Sequence, residues 1–540
     1  LALDAVGQDA RLVPSEALAV DSEPEAVRSA DLVVLAVPDD RIAEVAQSLE
    51  ARDDRVVVHL SGALGPEVLG RHPRRGALHP LAVLGREEPE AAARRLRSGI
   101  CFAVAGDPEV RTLVERLGGR ALEVALPLRP RYHAAAAMAS NHLVGLVAEA
   151  ARWMPPGTLR AADLAALGSM AMADAAEHGP EAALTGPLSR ADQGVLEAHL
   201  LGLDPDARRV YLAGAGPTAR LADRRGRRDA SQAGPGPAVS ALVGAVLGAR
   251  GIGRAGGRRL CSSSSLEALG LALGDAAAAG LVVGLVPTMG ALHDGHRSLV
   301  RRARSESDVV AVSIFVNPRQ FGQAEDFERY PRDLEADLDL LEAEGVDVVV
   351  VPDAEEVYPA GFATTVEVAG PALGWEGAGR PGHFAGVATI VLKLLSMLEP
   401  KRAYFGEKDF QQLAVVRRLV ADLGLGVEIV GCPTVRELDG LACSSRNRRL
   451  SAEGRRAARV LYQALQAGAS VVLAGERDPA RVEEAMARVV AGVSGVQLCY
   501  AAAVDAGSLV EPNELRPPAR LLIAAEVEGV RLIDNLAIEG

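Results

Sequence analysis

Aromatic residues make up only 3% of this 540-residue chain, and its five cysteines (Cys101, Cys261, Cys432, Cys443 and Cys499) form no C-x-x-C pair and no zinc-type spacing. The odd count excludes a complete disulfide framework and points to a reducing, cytoplasmic setting. Long apolar runs are missing as well, none reaching the ~18 residues of a membrane span. The opening residues, LALDAVGQDARL, have neither a basic nor an apolar signal region, so no secretory leader is expected there. Basic residues are in deficit: 58 Lys and Arg stand against 71 Asp and Glu, a net charge of −13. A general nucleic-acid binder needs clustered cations and is excluded on that balance. A local site for a small anion is not, because a site is local and net charge is global.

What is present reads as ordinary folded protein, 49% hydrophobic and 24% charged, long enough for two or more domains. In the first part, DLVVLAVPDD (31–40), RVVVHLSGAL (55–64) and GICFAVAG (99–106) read as buried strands alternating with short amphipathic helices. That alternation predicts a parallel, doubly wound sheet over residues 1–125. Ala- and Leu-rich segments predict a helical domain over 126–225, and a stretch rich in Gly, Ala, Arg and Ser predicts a linker over 226–262. The linker contains GIGRAG (251–256), a formal G-x-G-x-x-G match, but the next residues, GRRLCSSSS, make no helix start and the dinucleotide reading fails. β/α alternation then resumes. Strands are expected at 281–287, 308–318, 346–352 and 427–433, with a helix at 332–345 carrying a Leu334, Leu338, Leu341 stripe. An α/β domain over 263–432 and a smaller α+β domain over 433–540, closing with the strands ARLLIAAEV and VRLIDNLAI, complete the expected organisation.

One stretch carries chemistry of its own. PTMGALHDGH (287–296) brings an apolar strand into a turn with Gly290 and Gly295, then starts a helix with His293 and His296 three residues apart on one face. Backbone N–H groups and the positive helix end at such a point suit nucleotide phosphates. The two imidazoles suit hydrogen bonding to charge that builds on a phosphate as pyrophosphate leaves.

That stretch resembles the signature of the pantoate–β-alanine ligases, an H-x-G-H group within the nucleotidylyltransferase superfamily. Further motifs of that family occur in order: FVNPRQFG (315–322), YPRDLEAD (330–337), GRPGHFAGVATIVLKL (379–394), YFGEKDFQQL (404–413), PTVRELDGLACSSRNRRLS (433–451) and RLIDNLAI (531–538). The resemblance covers about 263–540. It implies ATP-dependent ligation of pantoate and β-alanine to pantothenate through a pantoyl adenylate, with release of AMP and pyrophosphate, in a homodimer that uses Mg2+.

Residue by residue, the resemblance implies an ATP site of Met289, Gly290, Ala291, Leu292, His293, Asp294, Gly295 and His296. Gly406, Glu407, Lys408 and Asp409 join it, with Val435, Cys443, Ser444, Ser445 and Arg446. His293, His296, Lys408 and Arg446 are the expected catalytic groups. Lys408 is a point charge for phosphate, and Arg446 a fork-shaped cation on a lid over the triphosphate. Gln320 and Gln412 are expected to bind pantoate, Gln320 also facing β-alanine, because amides donate and accept at once. Asp337 matches a magnesium-associated acid, although its neighbour, where the family commonly has another acid, is Ala336. Arg319 and Cys443 stand where the family usually has Met. Val435 is expected to meet adenine through its backbone, and His383 to support the pocket with Arg380 and Glu376.

Residues 15–225 are similar to a Rossmann-like oxidoreductase family whose layout is that of 6-phosphogluconate dehydrogenase and ketopantoate reductase. The carrying stretches include ADLVVLAVPDD, GALHPLAVL, YHAAAAMASNHLV and ALTGPLSRAD. This resemblance implies NADP binding, with reduction of ketopantoate as one reading and a non-catalytic interaction module as another. No Gly-rich turn precedes Asp31, so either the chain starts upstream of Leu1 or cofactor binding is lost. His133, Ser140 and Asn141 are the polar candidates on the helix beyond that sheet.

Overall fold

The computed structural model describes residues 24–84, 88–226, 235–254, 260–321, 327–328 and 330–539. The start LALDAVGQDARL, and with it the question of a turn before Asp31, lies outside the described residues. The chain divides into two compact units, Leu1–Ser169 and Met170–Gly540.

In the first unit, β1 (Leu32–Leu35), β2 (Val56–His59), β3 (Arg74–Pro80), β4 (Cys101–Gly106) and β5 (Arg120–Glu123) form one sheet in that order. β1, β2 and β3 are parallel, β4 runs antiparallel to β3, and β5 is parallel to β4. Val56, Val57 and Val58 are wholly buried because helices such as Ile42–Ser48 and Glu109–Arg116 cover the sheet. Continuous apolar runs are what a sheet covered on both faces requires.

The second unit is built on a six-stranded parallel sheet, ordered β11-β10-β7-β8-β9-β6. These are β6 (Cys261–Ser263), β7 (Val283–Thr288), β8 (Val309–Ile314), β9 (Val348–Val350), β10 (Arg402–Gly406) and β11 (Glu428–Cys432). The four strands expected from the sequence are there; β6 and β10 are additional. A three-stranded antiparallel sheet comes next, β12 (Val496–Asp505), β13 (Ala519–Val527) and β14 (Val530–Ile538). Its other face carries the helices Val460–Leu473 and Pro479–Ala491.

Two expected boundaries are corrected. The helical region 126–225 is no single body, because the division falls inside the helix Ala161–His178. The expected linker 226–262 contains the helix Pro237–Gly248, whose Leu242, Ala245 and Val246 are buried in the same core as Leu269 and Leu285. Asp223 accepts hydrogen bonds from the first amides of that helix, Ala238 at 2.8 Å and Val239 at 3.1 Å. Arg250 pairs with Asp275 of the helix Leu266–Ala278 at 2.8 Å. Composition misled here: Gly and Ala signal flexibility only when no neighbour offers an apolar face, and burying each Val or Leu contributes ~1.5–3 kcal/mol. The GIGRAG match comes after this helix rather than after a strand, and its residues 255 and 256 lie outside the described residues.

Candidate active site

The cleft of the second unit, about 270 Å3, opens at the C-terminal ends of β7, β8 and β10 and continues to the antiparallel sheet. Ligands bind at that edge of open parallel sheets because loops diverge there.

The turn after β7 is held by a residue far away in sequence. Gly290 and Ala291 both have positive φ, 80° and 51°. Their conformation turns the amides of Ala291 and Leu292 onto the buried carboxylate of Asp337, at 2.8 and 2.7 Å. A side chain on Gly290 would meet Asp337 Oδ2 at 2.9 Å. Asp337 is therefore the clamp of the turn, each of its oxygens accepting from one backbone amide. Burial raises its pKa against the pull of those two amides.

His293 caps the helix Asp294–Glu306, its Nδ1 accepting from Gly295 N at 3.1 Å. With Ala291 and Leu292 committed to Asp337 and Gly295 to His293, three amides expected to face an anion are already bonded. The imidazoles themselves face the cleft. His293 and His296 lie 4.2 Å apart between ring centres, and His296 Nδ1 is buried without a partner. Burial lowers the pKa of His296 to about 3, helped by His293. Burial and then Lys408 lower that of His293 to about 4. Both rings are neutral hydrogen-bonding groups at pH 7.

Across the cleft, Lys408 Nζ lies 3.3 Å from Asp409 Oδ1. Burial opposes ionisation of Asp409, but Lys408 and Arg446 hold its pKa below the usual carboxylate value. The Glu407–Asp409 turn is fixed by Asn535 of β14, whose Nδ2 donates to the carbonyls of Glu407 and Lys408, both at 2.8 Å. Glu407 itself pairs with Arg520 at 2.9 Å. Arg380 is pushed down to about 10 by burial and by its neighbour Arg446. Crowded cations of this kind favour an incoming anion.

Gln320 is buried, with Oε1 accepting from Asn317 at 3.2 Å and Nε2 lying 2.8 Å from Met289 Sδ. Its loop lies on the helix His383–Leu398 at Gly386, where a side chain would meet Arg319 O at 2.3 Å. His383 bridges the same loop: Nδ1 donates to Gln320 O at 2.9 Å while Nε2 accepts from Arg380 at 3.1 Å. That fixes a neutral tautomer and agrees with a pKa lowered to about 4 by burial and Arg380. Gln412 lines the cleft. Its neighbour Gln411, also at the cleft, ties down 371–376, accepting from Glu376 N at 3.0 Å and donating to the carbonyls of Pro371 and Gly374.

Met289, His293, Gly295, His296, Gly406, Lys408, Asp409, Val435, Cys443, Ser444, Ser445, Arg446, Gln320 and Gln412 all line this one cleft. Gly290, Ala291, Leu292, Asp294 and Glu407 do not. The carbonyl of Val435 accepts from Cys443 N at 2.9 Å, so a base contact through this backbone is left to the N–H. Arg319 turns away, over the rings of Tyr358 and Phe362 at 4.8 and 4.6 Å.

Sequence reasoning missed Asn317, Gln411, Tyr500, Asp534 and Asn535. Only Asp534 and Asn535 left a signal, as a polar pair between the apolar runs of their strand. Among the described residues no group of three or more His, Cys, Asp or Glu is placed to hold a metal ion.

In the first unit, Ser140 bonds back to Ala136 O at 2.7 Å in a π-type turn, Met138–His142, while His133 stands beside His79. His133, Ser140 and Asn141 thus form no common hydrogen-bonded site.

Sequence models of three families match this chain: a Rossmann-like domain at 7–84, a domain of unknown function at 100–216, and pantoate-beta-alanine ligase at 264–537. The pantothenate synthetase of Rubrobacter xylanophilus is 56% identical over 267 residues, 48% of this chain and 92% of that protein. The bifunctional pantoate ligase/cytidylate kinase of Synechococcus elongatus is 55% identical over 261 residues, 48% of this chain and 50% of that protein. The crystal structure of pantothenate synthetase from Thermus thermophilus is 49% identical, covering 52% of this chain and 99% of that one with a TM-score of 0.49. Matched by that family over more than half its length, the chain belongs to the pantoate-beta-alanine ligases.

Proposed function

We propose that the second unit condenses pantoate and β-alanine at the expense of ATP, giving pantothenate, AMP and pyrophosphate. The observation that carries this reading is the convergence, in one cleft, of two neutral histidines, a phosphate-suited lysine and arginine, and two glutamines from separate motifs.

The pantoate carboxylate oxygen attacks the α-phosphorus of ATP, and the bond to the bridging oxygen breaks as pyrophosphate leaves. Negative charge grows on the α-phosphate and the leaving group. His293 and His296 meet it with N–H donors; being neutral they need no proton to be lost or gained, and each such donor contributes ~3 kcal/mol. Lys408 and Arg446 hold the phosphates, with Ser444 and Ser445 adding hydroxyls. Gln320 and Gln412 bind pantoate, and Gln320 borders the place of β-alanine. In the second half-reaction the uncharged amine attacks the acyl carbon, AMP departs with the acyl–oxygen electron pair, and the amine's proton passes to solvent.

Among the described residues no group of three or more His, Cys, Asp or Glu is placed to hold a metal, so Mg2+ enters this proposal as the ion that accompanies ATP, with Asp337 as the acid expected to meet it. Assembly as a homodimer and a cytoplasmic setting, in keeping with five free cysteines, are part of it too. The test is direct: purified chain with pantoate, β-alanine and ATP should yield pantothenate and AMP in equal amounts. Formation of ADP instead would overturn the adenylate route.

A further inference from the structure

Strand β14 buries two polar residues side by side, Asp534 and Asn535, only 5% and 4% exposed. Two apolar residues would bury there without penalty, whereas an acid and an amide are costly unless their polar atoms find partners. Both find them, and on different elements, because neighbouring residues of a strand point to opposite sides.

Asn535 serves the Lys408 turn. Its Nδ2 donates to the carbonyls of Glu407 and Lys408, both at 2.8 Å, and its Oδ1 accepts from Arg520 Nε at 2.7 Å. Arg520 in turn pairs with Glu407 at 2.9 Å and lies 4.0 Å over the ring of Phe410. No side-chain donor of Asn535 is left for a ligand, so whatever it does for the reaction passes through Lys408.

Asp534 serves the hairpin that leads into residues 443–446. Its two oxygens accept from Arg436 at 2.6 and 2.9 Å, and Arg436 also donates to Gly440 O at 3.1 Å. The same guanidinium packs 3.8 Å from the ring centre of Tyr462. Arg436 bridges to Ala442, and Val435 O accepts from Cys443 N at 2.9 Å. The hairpin therefore closes immediately before Ser444, Ser445 and Arg446. Arg446 itself donates to Arg531 O, on the same strand, at 3.4 Å. Lys408 and Arg446 reach the cleft from separate motifs, and β14 anchors both.

We propose that Asp534 and Asn535 are positioning residues for adenylate formation, together fixing the span between the Lys408 ammonium and the Arg446 guanidinium. The pantoate oxygen and the leaving pyrophosphate must lie in line through the α-phosphorus, and cations at a fixed span hold the phosphates in that line. A displacement of about 1 Å costs on the order of 10²-fold in rate.

This role rests on the ligase reading above, and the full-length chain tests the two separately. Wild-type formation of pantothenate and AMP tests the reaction. Double-mutant cycles on single-turnover adenylate formation, followed by rapid quench, test the positioning. Asn535→Asp keeps the shape but turns a carboxylate oxygen onto two carbonyls, and should slow adenylate formation by about tenfold or more. In a Lys408→Ala background the same change should cost less than about twofold, since the group it aims is gone. Arg436→Lys keeps the charge and loses the fork; it should cost a few-fold alone and little in an Arg446→Ala background. The KM for pantoate should hardly move in either variant. Binding of α,β-methylene-ATP, measured by calorimetry, should weaken only where the matching cation is present. If Asn535→Asp does not fold, Asn535→Ser, with one donor kept, takes its place in the cycle. Losses of the same size with and without the cation overturn the proposal. So does a lowered melting temperature with adenylate formation unchanged.

Discussion

The two units differ in how completely their polar side chains are employed at the sheet edge. In Met170–Gly540 the cleft is framed by groups whose bonds are spent on backbone: Asp337 on two amides, Asn535 on two carbonyls, Gln411 on three backbone groups. Within that frame, His296 Nδ1 and Ser313 Oγ are buried cleft atoms with no partner. In Leu1–Ser169 the unpartnered buried atoms include Nε and Nη1 of Arg129, whose Nη2 donates to Ser61 O. Buried polar atoms normally find partners.

The sharpest way to break this comparison is to remove the orphaned imidazole. His296→Ala should slow pantoyl adenylate formation by ~10²-fold or more, as loss of a preorganised donor does. Preformed pantoyl adenylate should still react with β-alanine at close to the normal rate. Rapid-quench measurement of each half-reaction separates the two, and a defect confined to the second would reassign His296 to the amine.

Next in size is the frame. Asp337→Ala leaves the amides of Ala291 and Leu292 without their acceptor, at ~1–3 kcal/mol each when buried. We expect a lower melting temperature and at least about a tenfold fall in kcat, since the histidines ride on this turn. An unchanged kcat in a destabilised protein would show that the clamp serves stability alone.

The adjacent glutamines sharpen the contrast between lining and framing. Gln320→Ala and Gln412→Ala should raise the KM for pantoate by about tenfold, the loss of a hydrogen bond or two, with little change in that for ATP. Gln411→Ala should instead lower the melting temperature. Steady-state kinetics beside thermal denaturation on the three variants would expose a wrong assignment.

pH supplies a smaller effect. His293, His296 and His383 have folded pKa values of about 4, about 3 and about 4, below the ~6.5 of an unfolded histidine. The unfolded chain therefore binds more protons in acid. The stability these groups contribute is complete above pH ~6.5 and is lost as pH falls below it. Adenylate formation should show no inflection near pH ~6.5. One there would mean that a protonated imidazole acts. Smallest of all, Arg319→Met should leave the pantoate KM nearly unchanged and cost about 0.5–1 kcal/mol in lost cation–π contact, read by denaturant unfolding.

Much of the second unit was legible in advance. Its strands announce themselves as apolar runs, and its cleft-lining residues lie in short motifs whose residue types suit phosphate and carboxylate. Less legible was the division of labour inside a motif. Gln411 and Gln412 are adjacent and identical and both reach the cleft, yet a helix turns successive side chains by about 100°, and only Gln411 meets the backbone of 371–376. Amides of PTMGALHDGH that looked free for an anion were already engaged, by an acid 46 residues away. The Ala- and Gly-rich stretch around 237–248 looked like a linker because composition carries no information on what packs against it.

Local sequence determined which segments become strands and helices, and which motifs carry phosphate-binding and carboxylate-binding groups, because periodicity and side-chain chemistry act over a few residues. Tertiary structure alone decided that Asp337 is a clamp, that Asn535 supports Lys408, that Arg319 faces away, and that two nitrogens of Arg129 are buried without a hydrogen-bond partner. Each of these depends on the direction of a side chain relative to a partner tens or hundreds of residues distant. Burial is what gives such contacts their strength, since a hydrogen bond or charge unpaired away from water costs far more than the same group unpaired at the surface.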